Sequence, residues 1–453
     1  MVVIESILSF IIAISILVTI HEFGHFIVAK AVGVKVLRFS IGFGQPLWRK
    51  RFSPEGTEFQ VALLPLGGYV KMYGEQVDAV PEEARQYSFA HKSLPARVAV
   101  VSAGPLFNFM FAIVAYWCVF VAGVVGMKPI IGEVLPGSAA AEAGMTPQDQ
   151  IVAVSENEVV TWEQVFTLIV DEMLDAHQIQ FTLQSEEGER RTVELQVGEQ
   201  IKLDSMDKLI TTLGFAPYMP PIEPRLGTIL PDGAAEEAGL MTNDLILSVN
   251  GVTIHSWSEW VELIRQSPEQ PMTLVVLRGQ QQMQLLVTPR LTMEEGEAVG
   301  KIGAGVQLPK SLNADLLVKT QFSPVIAVAK SLEKTWEMTS LTIRLMLKMV
   351  MGEVSVKNLS GPVSIAQYAG YSAADGILSF MSFLAIVSIS LGVLNLLPVP
   401  ILDGGHLLYY GIEFVTGRPI SPRMQAIGFQ IGITLLLFVT LLAFYNDIMR
   451  LFK

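Results

Sequence analysis

The sequence predicts a polytopic α-helical membrane protein, with four transmembrane helices and a duplicated α+β region between the second and the third. Of its 453 residues, 51% are hydrophobic and 16% are charged, and the mean hydropathy is +0.46. Four segments are apolar enough and long enough to cross a bilayer, which needs about 20 residues. They run approximately from Val3 to Ala29, from Val98 to Val125, from Ile377 to Leu397 and from Ile427 to Tyr445.

Each apolar segment has the alternative of a buried helix in a soluble core. The second, third and fourth runs are too long and too unpatterned for a half-exposed helix. The first is weaker at its C-terminal end, where polar residues begin. Because the N-terminus lacks the basic start and the cleavage site of a signal peptide, we expect a retained span.

Basic residues in the connecting loops predict the orientation, since cytoplasmic loops carry an excess of Lys and Arg. No Lys or Arg precedes the first span, and the loop after the third span holds Arg418 and Arg423. We expect the loop after the first span and the loop after the third span to lie in the cytoplasm. We expect both termini and the central region on the other side, although Arg450 and Lys453 oppose this mildly. The loop after the first span holds Lys30, Lys35, Arg38, Arg49, Lys50, Arg51, Lys71, Arg85, Lys92 and Arg97.

The central region contains an internal duplication. The segment from Gly132 to Met145 is matched from Gly227 onward, at an offset of 95 residues that also pairs Asp149 with Asp244. Each copy predicts a strand, a short Ala-rich helix, an Asp turn and another strand. The pattern resembles the circularly permuted PDZ domains of bacterial proteases, which implies domains over 127–220 and 221–310. PDZ domains bind extended chains by strand addition, but a spacer that binds no peptide remains an equal alternative.

After the duplication, the segment 320–370 is predicted as a helical linker. Between Gln321 and Met351, apolar residues such as Leu332 and Trp336 alternate with charged ones such as Lys330. An interfacial helix lying on the membrane and an ordinary amphipathic helix packed against the duplicated domains are both compatible with this pattern.

The composition excludes some functions. The formal net charge of −12 argues against nucleic-acid binding, which usually needs a basic face. The one cysteine, Cys118, lies in an apolar run and has no partner for an internal disulfide, so we interpret it as a free packing thiol.

A metal-binding pattern, H-E-x-x-H, ends the first span. On a helix, His21 and His25 are four residues apart and lie on one face, so both imidazoles can bind one cation. Two neutral imidazoles suit zinc, and the carboxylate of Glu22 can act as a general base toward a zinc-bound water. Ionisable groups at membrane depth are costly and indicate a functional site. We therefore expect a hydrolytic metal centre within the bilayer.

A second group of polar residues follows the third span, in the sequence from Asn395 to His406. Its two prolines and two glycines predict a broken helix, which membrane depth tolerates where the backbone is buried or lines a wet cavity. Asp403 is a candidate third zinc ligand, with a fourth position open for water. The alternative for Asp403 is a helix cap. His406 is either a residue that supports the ligands or a structural one.

Together these motifs resemble the site-2 protease family of intramembrane zinc metalloproteases, in its bacterial regulator-of-sigma-E branch. The resemblance covers essentially the whole chain, from the first membrane half (1–126) to the second (375–453). It implies a membrane-associated β-hairpin over 40–75, where Gly42-Phe43-Gly44 and the segment from Glu58 to Met72 match the family.

The resemblance also implies roles for individual residues. His21, His25 and Asp403 would bind Zn²⁺, and Glu22 would be the catalytic base. A transmembrane helix must unwind before its peptide bonds can be hydrolysed, and an exposed sheet edge can accept the freed backbone groups. The residues expected to contact the substrate are Asn395 and the strand residues Val61, Ala62, Leu63 and Leu64.

The implied function is cleavage of single-pass membrane proteins within the bacterial inner membrane. Expected substrates are anti-sigma factors already cut on the periplasmic side and remnant signal peptides. The PDZ domains and both termini would be periplasmic, with possible peptide ligands for the former, and the zinc site would lie near the cytoplasmic side. Two other functions stay open. The first is a metal-ion transporter or store, which would need charged residues along the other spans, whereas the second span has none. The second is a membrane-anchored PDZ scaffold with a relic metal site.

Overall fold

The fold is described by a computed structural model over residues 2–74, 80–174, 178–197, 213–294, 297–307 and 314–451. The predicted boundaries at 75 and 310 lie outside these ranges. The helices are α1 (Val2–Ala31), α2 (Leu94–Ala122), α3 (Ala139–Glu142), α4 (Trp162–Glu172), α5 (Ala234–Glu237), α6 (Trp257–Arg265), α7 (Pro324–Met351), α8 (Pro362–Asp375), α9 (Ile377–Leu396), α10 (Asp403–Thr416) and α11 (Pro422–Leu451).

The strands form small antiparallel sheets around and between these helices. They are β1 (Val36–Arg51), β2 (Glu58–Met72), β3 (Val124–Met127), β4 (Ile131–Val134), β5 (Gln150–Val154), β6 (Asn157–Glu158), β7 (Gln178–Gln184), β8 (Arg190–Gln196), β9 (Phe215–Pro217), β10 (Leu226–Ile229), β11 (Leu245–Val249), β12 (Val252–Thr253), β13 (Met272–Arg278), β14 (Gln281–Val287), β15 (Arg290–Glu294), β16 (Glu297–Lys301), β17 (Ala304–Val306) and β18 (Leu317–Thr320).

The four predicted spans are confirmed as helices long and apolar enough to cross a membrane, namely α1, α2, α9 and α11. Several bounds differ by a few residues from the prediction, since the second helix begins at Leu94 rather than Val98 and the last ends at Leu451 rather than Tyr445. The last span begins at Pro422 rather than Ile427, and the second ends at Ala122 rather than Val125. The second helix ends early because Gly123 adopts a φ of 93°, and the apolar residues after it form β3, which pairs with β18.

The two copies of the duplicated segment fold alike in the part of the chain described. Each has a four-stranded sheet with the same order, β6-β5-β7-β8 in the first copy and β12-β11-β13-β14 in the second. Each has its own apolar core, which includes Phe181 in the first copy and Trp260 in the second. A buried aspartate pairs with an arginine in both copies, Asp149 with Arg191 and Asp244 with Arg278.

The linker helix α7 has features of an interfacial helix and also of a helix packed against the duplicated domains. Its packed face contacts the first copy, where Leu341 joins an apolar cluster with Leu174 and Arg344 forms an ion pair with Asp171. On other faces, Trp336 is 74% exposed, as an interfacial helix would leave it. The helix therefore connects the first copy to the membrane helices while presenting apolar surface outward.

The region after the first span is more elaborate than a hairpin. Residues 38–41 of β1 pair with both 58–61 and 68–71 of β2, while residues 46–51 pair with 58–62. Val61 pairs with Ile41 on one side and with Trp48 on the other, so its backbone is not at a free edge, and its contact with a substrate stays a prediction. The sheet packs against the C-terminal end of α1 and the start of α2 through a shared apolar cluster that includes Phe39 and Val100.

Candidate metal centre

Helix α1 presents both histidines of the motif to one point inside the helix bundle. The four-residue spacing stacks the side chains on one face, and the Nε2 atoms of His21 and His25 lie 3.2 Å apart. His25 is buried and His21 is half-buried. The two imidazoles are therefore placed to share one cation.

The third member comes from the other half of the chain. Helix α9 ends at Leu396, a Pro-containing turn follows, and α10 begins with Asp403. The Oδ2 atom of Asp403 lies 3.2 Å from His21 Nε2 and 3.5 Å from His25 Nε2. The N-cap of α10 is Leu402, and no side-chain capping bond is formed there. The carboxylate of Asp403 thus faces the imidazoles instead of capping the helix.

The donor set fits zinc. In a tetrahedral site with Zn–N and Zn–O bonds of 2.0–2.2 Å, the ligand atoms lie about 3.3 Å from one another, and the three separations here are 3.2, 3.2 and 3.5 Å. His25 Nδ1 lies 2.8 Å from the carbonyl oxygen of Val100. A carbonyl can only accept, so Nδ1 carries the proton and Nε2 of the neutral ring keeps a lone pair directed at the cluster.

Glu22 lies next to this cluster, half-buried between α1 and the sheet. The strand that approaches it is the 68–72 part of β2, because a Cβ atom at Gly68 would lie 3.0 Å from Glu22 Cγ and 2.9 Å from Val18 Cγ1. Gly68 therefore allows the backbone of the sheet to reach the helix beside the metal-binding face. In the described residues, 68–71 have strand partners on one side only.

The other predicted site residues lie outside the cluster of His21, His25 and Asp403. Asn395 is half-buried in the last turn of α9, before the turn that leads to Asp403. Ala62 is buried and pairs with Pro46, whereas the side chains of Leu63 and Leu64 are exposed. His406 is exposed and its ring contacts Tyr409 edge-on. It is therefore not part of the cluster.

Sequence reasoning missed the contribution of α2. Val100, Gly104 and Asn108 follow one another at intervals of four and so occupy one helix face. That face contacts the two histidines: Val100 through its carbonyl, Asn108 through an Nδ2–Nδ1 distance of 3.2 Å to His21, and Gly104 by leaving room for both rings. The available signal was an asparagine inside a charge-free span.

A half-buried ion pair attaches α10 to the start of α2. The guanidinium of Arg97 donates to both carboxylate oxygens of Glu413, at 3.1 and 2.6 Å. Arg97 also lies over the ring of Tyr410, 4.8 Å from its centroid. This contact ties the helix that begins with Asp403 to the helix that supports the histidines.

Comparisons with known proteins agree with this site. The chain matches peptidase family M50 over residues 9–439. It is 40% identical over 443 residues to a protein of Escherichia coli named "Regulator of sigma-E protease RseP", covering 98% of both chains. It is 42% identical over 451 residues to "Protease RseP" of Yersinia pestis, covering 98% of this chain and 99% of that one. A Vibrio cholerae protein whose name includes the words "zinc metalloprotease" is 41% identical over 453 residues, covering 98% of both. The chain therefore belongs to peptidase family M50, and it is a membrane-embedded metalloprotease.

Proposed function

We propose that this protein is a zinc protease of the bacterial inner membrane that cleaves transmembrane segments of single-pass membrane proteins. The observation that carries the proposal is the convergence of His21, His25 and Asp403 at zinc-like separations between helices that can span a membrane. Relatives are named as regulators of sigma-E, so we propose an anti-sigma factor as the main substrate, after a first periplasmic cut, and remnant signal peptides as further ones.

The residues divide the chemistry between them. His21, His25 and Asp403 would hold the zinc, and when bound it would supply a nucleophile from water at neutral pH and polarise the scissile carbonyl. Glu22, adjacent in sequence and half-buried beside the sheet, takes the proton from the attacking water and then delivers it to the leaving amine.

The sheet holds the substrate in an extended form. A substrate helix must give up its internal hydrogen bonds before cleavage, and each unpaired backbone group costs several kcal/mol in lipid. The edge formed by 68–71 lies beside Glu22 and can accept those groups. The exposed side chains of Leu63 and Leu64, and the amide of Asn395 in the last turn of α9, provide further substrate contacts.

The remaining parts control access. By the charge of the loops, the metal centre lies toward the cytoplasmic face, and the two duplicated domains, which we assign to the PDZ fold, lie in the periplasm together with both termini. In the second domain, a cleft of about 360 Å³ lies between α6 and residues 300–305 and includes Trp260 and Ile302. We propose this cleft as the place where an extended peptide would bind, and the pair of domains would exclude substrates with large periplasmic parts.

The test replaces Glu22 with Gln in the full-length protein in detergent micelles. Glu22→Gln keeps all three zinc ligands, so zinc content should stay at one per chain while cleavage of a single-pass substrate falls about 100- to 10,000-fold. The matched control is Glu5→Gln, which changes an exposed carboxylate in the first turn of the same helix and should leave cleavage unchanged.

Two results would reject the proposal in favour of other functions. Zinc flux into proteoliposomes without any peptide cleavage would indicate a transporter. If the protein still bound its partner proteins after phenanthroline had removed the zinc, and cleaved none of them, it would be a scaffold whose metal site is a relic.

A further inference from the structure

We propose that Asn108 is a positioning residue that fixes His21 as an Nε2 ligand by accepting a hydrogen bond from its Nδ1–H. The proposal rests on the proposed zinc site, and it assigns a role to a residue outside the H-E-x-x-H and Asp403 motifs. Asn108 lies in the middle of α2 and its side chain is fully buried. Its amide nitrogen lies 3.2 Å from His21 Nδ1.

The protonation that zinc requires decides which amide atom faces His21. When Nε2 binds a metal, a neutral imidazole carries its proton on Nδ1, and that N–H needs an acceptor. An asparagine amide has one acceptor and one donor end, and the two ends exchange places by a rotation of the side chain. With the oxygen turned toward His21, the Nδ1–H of His21 donates to Oδ1 of Asn108.

The hydrogen bonding of Asn108 agrees with that rotation. As placed, Oδ1 is buried and has no hydrogen-bond partner in the described part of the chain. The amide nitrogen faces a ring nitrogen that could accept only if His21 carried its proton on Nε2, the atom nearest Asp403. That tautomer leaves His21 without a lone pair for the metal. Rotating the amide removes this conflict and gives the buried oxygen a donor.

The second histidine shows the same arrangement with a different acceptor. His25 donates from Nδ1 to the carbonyl oxygen of Val100, at 2.8 Å. Val100 and Asn108 lie two helical turns apart on one face of α2, and His21 and His25 lie one turn apart on α1. The backbone can supply an acceptor to His25, but His21 is met by a side chain. An asparagine oxygen at 108 completes the pair.

A neighbouring contact holds Asn108 in place. The hydroxyl of Ser388 on α9 donates to the backbone carbonyl of Asn108 at 2.9 Å, and Ser388 is itself buried. An amide costs free energy in an apolar span unless it is hydrogen-bonded. A purely structural role, such as a polar contact between helices, would account for the burial but not for the approach to His21 Nδ1.

The experiment measures zinc affinity by chelator competition, and the absorption spectrum of the Co²⁺-substituted site, on full-length protein in micelles. Asn108→Leu and Asn108→Ala remove the acceptor, so each should weaken zinc binding by about 10- to 100-fold and alter the Co²⁺ spectrum. Asn108→Asp keeps an acceptor oxygen at the same position and should bind zinc within about threefold of the unaltered protein. Having two variants without an acceptor keeps the comparison possible if one of them fails to fold.

The matched control is Asn446→Leu. Asn446 is also a buried asparagine, in α11, where it donates to the carbonyls of Val356 and Leu359. Its loss should lower the unfolding temperature without changing zinc affinity. Wild-type affinity in Asn108→Leu and Asn108→Ala, or equal weakening in Asn108→Asp, would overturn the role of Asn108 alone. Absence of stoichiometric zinc from the unaltered protein would overturn this role together with the proposed function.

Discussion

Replacing Gly104 with Ala tests how closely the metal centre depends on α2. A Cβ atom at this position would lie 2.6 Å from Cε1 of His25 and 2.8 Å from Cε1 of His21. Favourable contacts between carbon atoms are about 3.5–4.0 Å, so one or both rings must move by about 1 Å. Zinc sites tolerate ligand displacements of about 0.2 Å.

The expected effect is large for function. A displacement of about 1 Å near the reacting atoms costs on the order of 100-fold in rate, so cleavage of a single-pass substrate should fall at least about 100-fold. Zinc should be lost from Gly104→Ala during dialysis that leaves it on the unaltered protein. Stability should fall by about 1–3 kcal/mol, as for other overpacked sites, which thermal unfolding in micelles would measure.

The direction of the stability change makes the result decisive. In a helix with free space around the glycine, Gly→Ala usually stabilises by about 1 kcal/mol. Gly411 in α10 is such a position, because a Cβ atom there has no neighbour within 4 Å. Gly411→Ala should therefore keep zinc and raise the unfolding temperature. If Gly104→Ala behaves like Gly411→Ala, the close packing of α2 against the histidines is refuted.

Three further predictions concern the parts that surround the centre. Arg97→Gln leaves Glu413 half-buried without its partner and should destabilise the protein by about 2–3 kcal/mol. Thermal unfolding should show that the double variant with Glu413→Gln regains part of this stability. Burial alone would raise the pKa of Asp244, but hydrogen bonds from Arg278 and a backbone N–H outweigh it and hold the pKa below its usual value. The contribution of Asp244 to stability should thus be complete above about pH 4 and be lost as the pH falls through the lower folded-state pKa. Asp244→Asn should remove that part of the pH dependence of unfolding, and an unchanged acid profile would contradict the assignment. Asp447 accepts hydrogen bonds from three backbone N–H groups at the start of α8. Asp447→Leu should therefore lower the free energy of unfolding by at least about 2 kcal/mol. A smaller loss in thermal unfolding would show that water or other groups replace the carboxylate.

The features that sequence reasoning predicted depend on chemistry with a fixed spacing or a fixed length. Hydropathy identified the spans because an uninterrupted apolar run of about 20 residues has few other uses. The i, i+4 spacing placed His21 and His25 on one face, and the structure has them 3.2 Å apart. Asp403 could be paired with them because a carboxylate after a broken helix at membrane depth requires a partner.

The features that it missed depend on contacts between distant segments. The end of α2 at Gly123 could not be read from hydropathy, because the following valines are equally apolar but pair with β18. The sheet formed by β1 and β2 could not be read either, since residues 38–41 take partners from two parts of β2. The two strand partners of Val61 could not be predicted, because alternation of side chains along a strand does not reveal how many neighbouring strands it has.

The contribution of α2 explains why the motif alone is an incomplete description of the centre. The three proposed ligands come from α1 and α10, and α2 supplies none of them. Yet α2 contacts both ligand-bearing helices, through the Arg97–Glu413 pair at its start and through Val100, Gly104 and Asn108 along one face. Two ligand helices that approach each other in lipid have no hydrophobic driving force to fix their spacing. A third helix with a hydrogen bond or a close contact at each turn provides that spacing, so zinc affinity should be more sensitive to substitutions on this face of α2 than to those on its lipid-facing side.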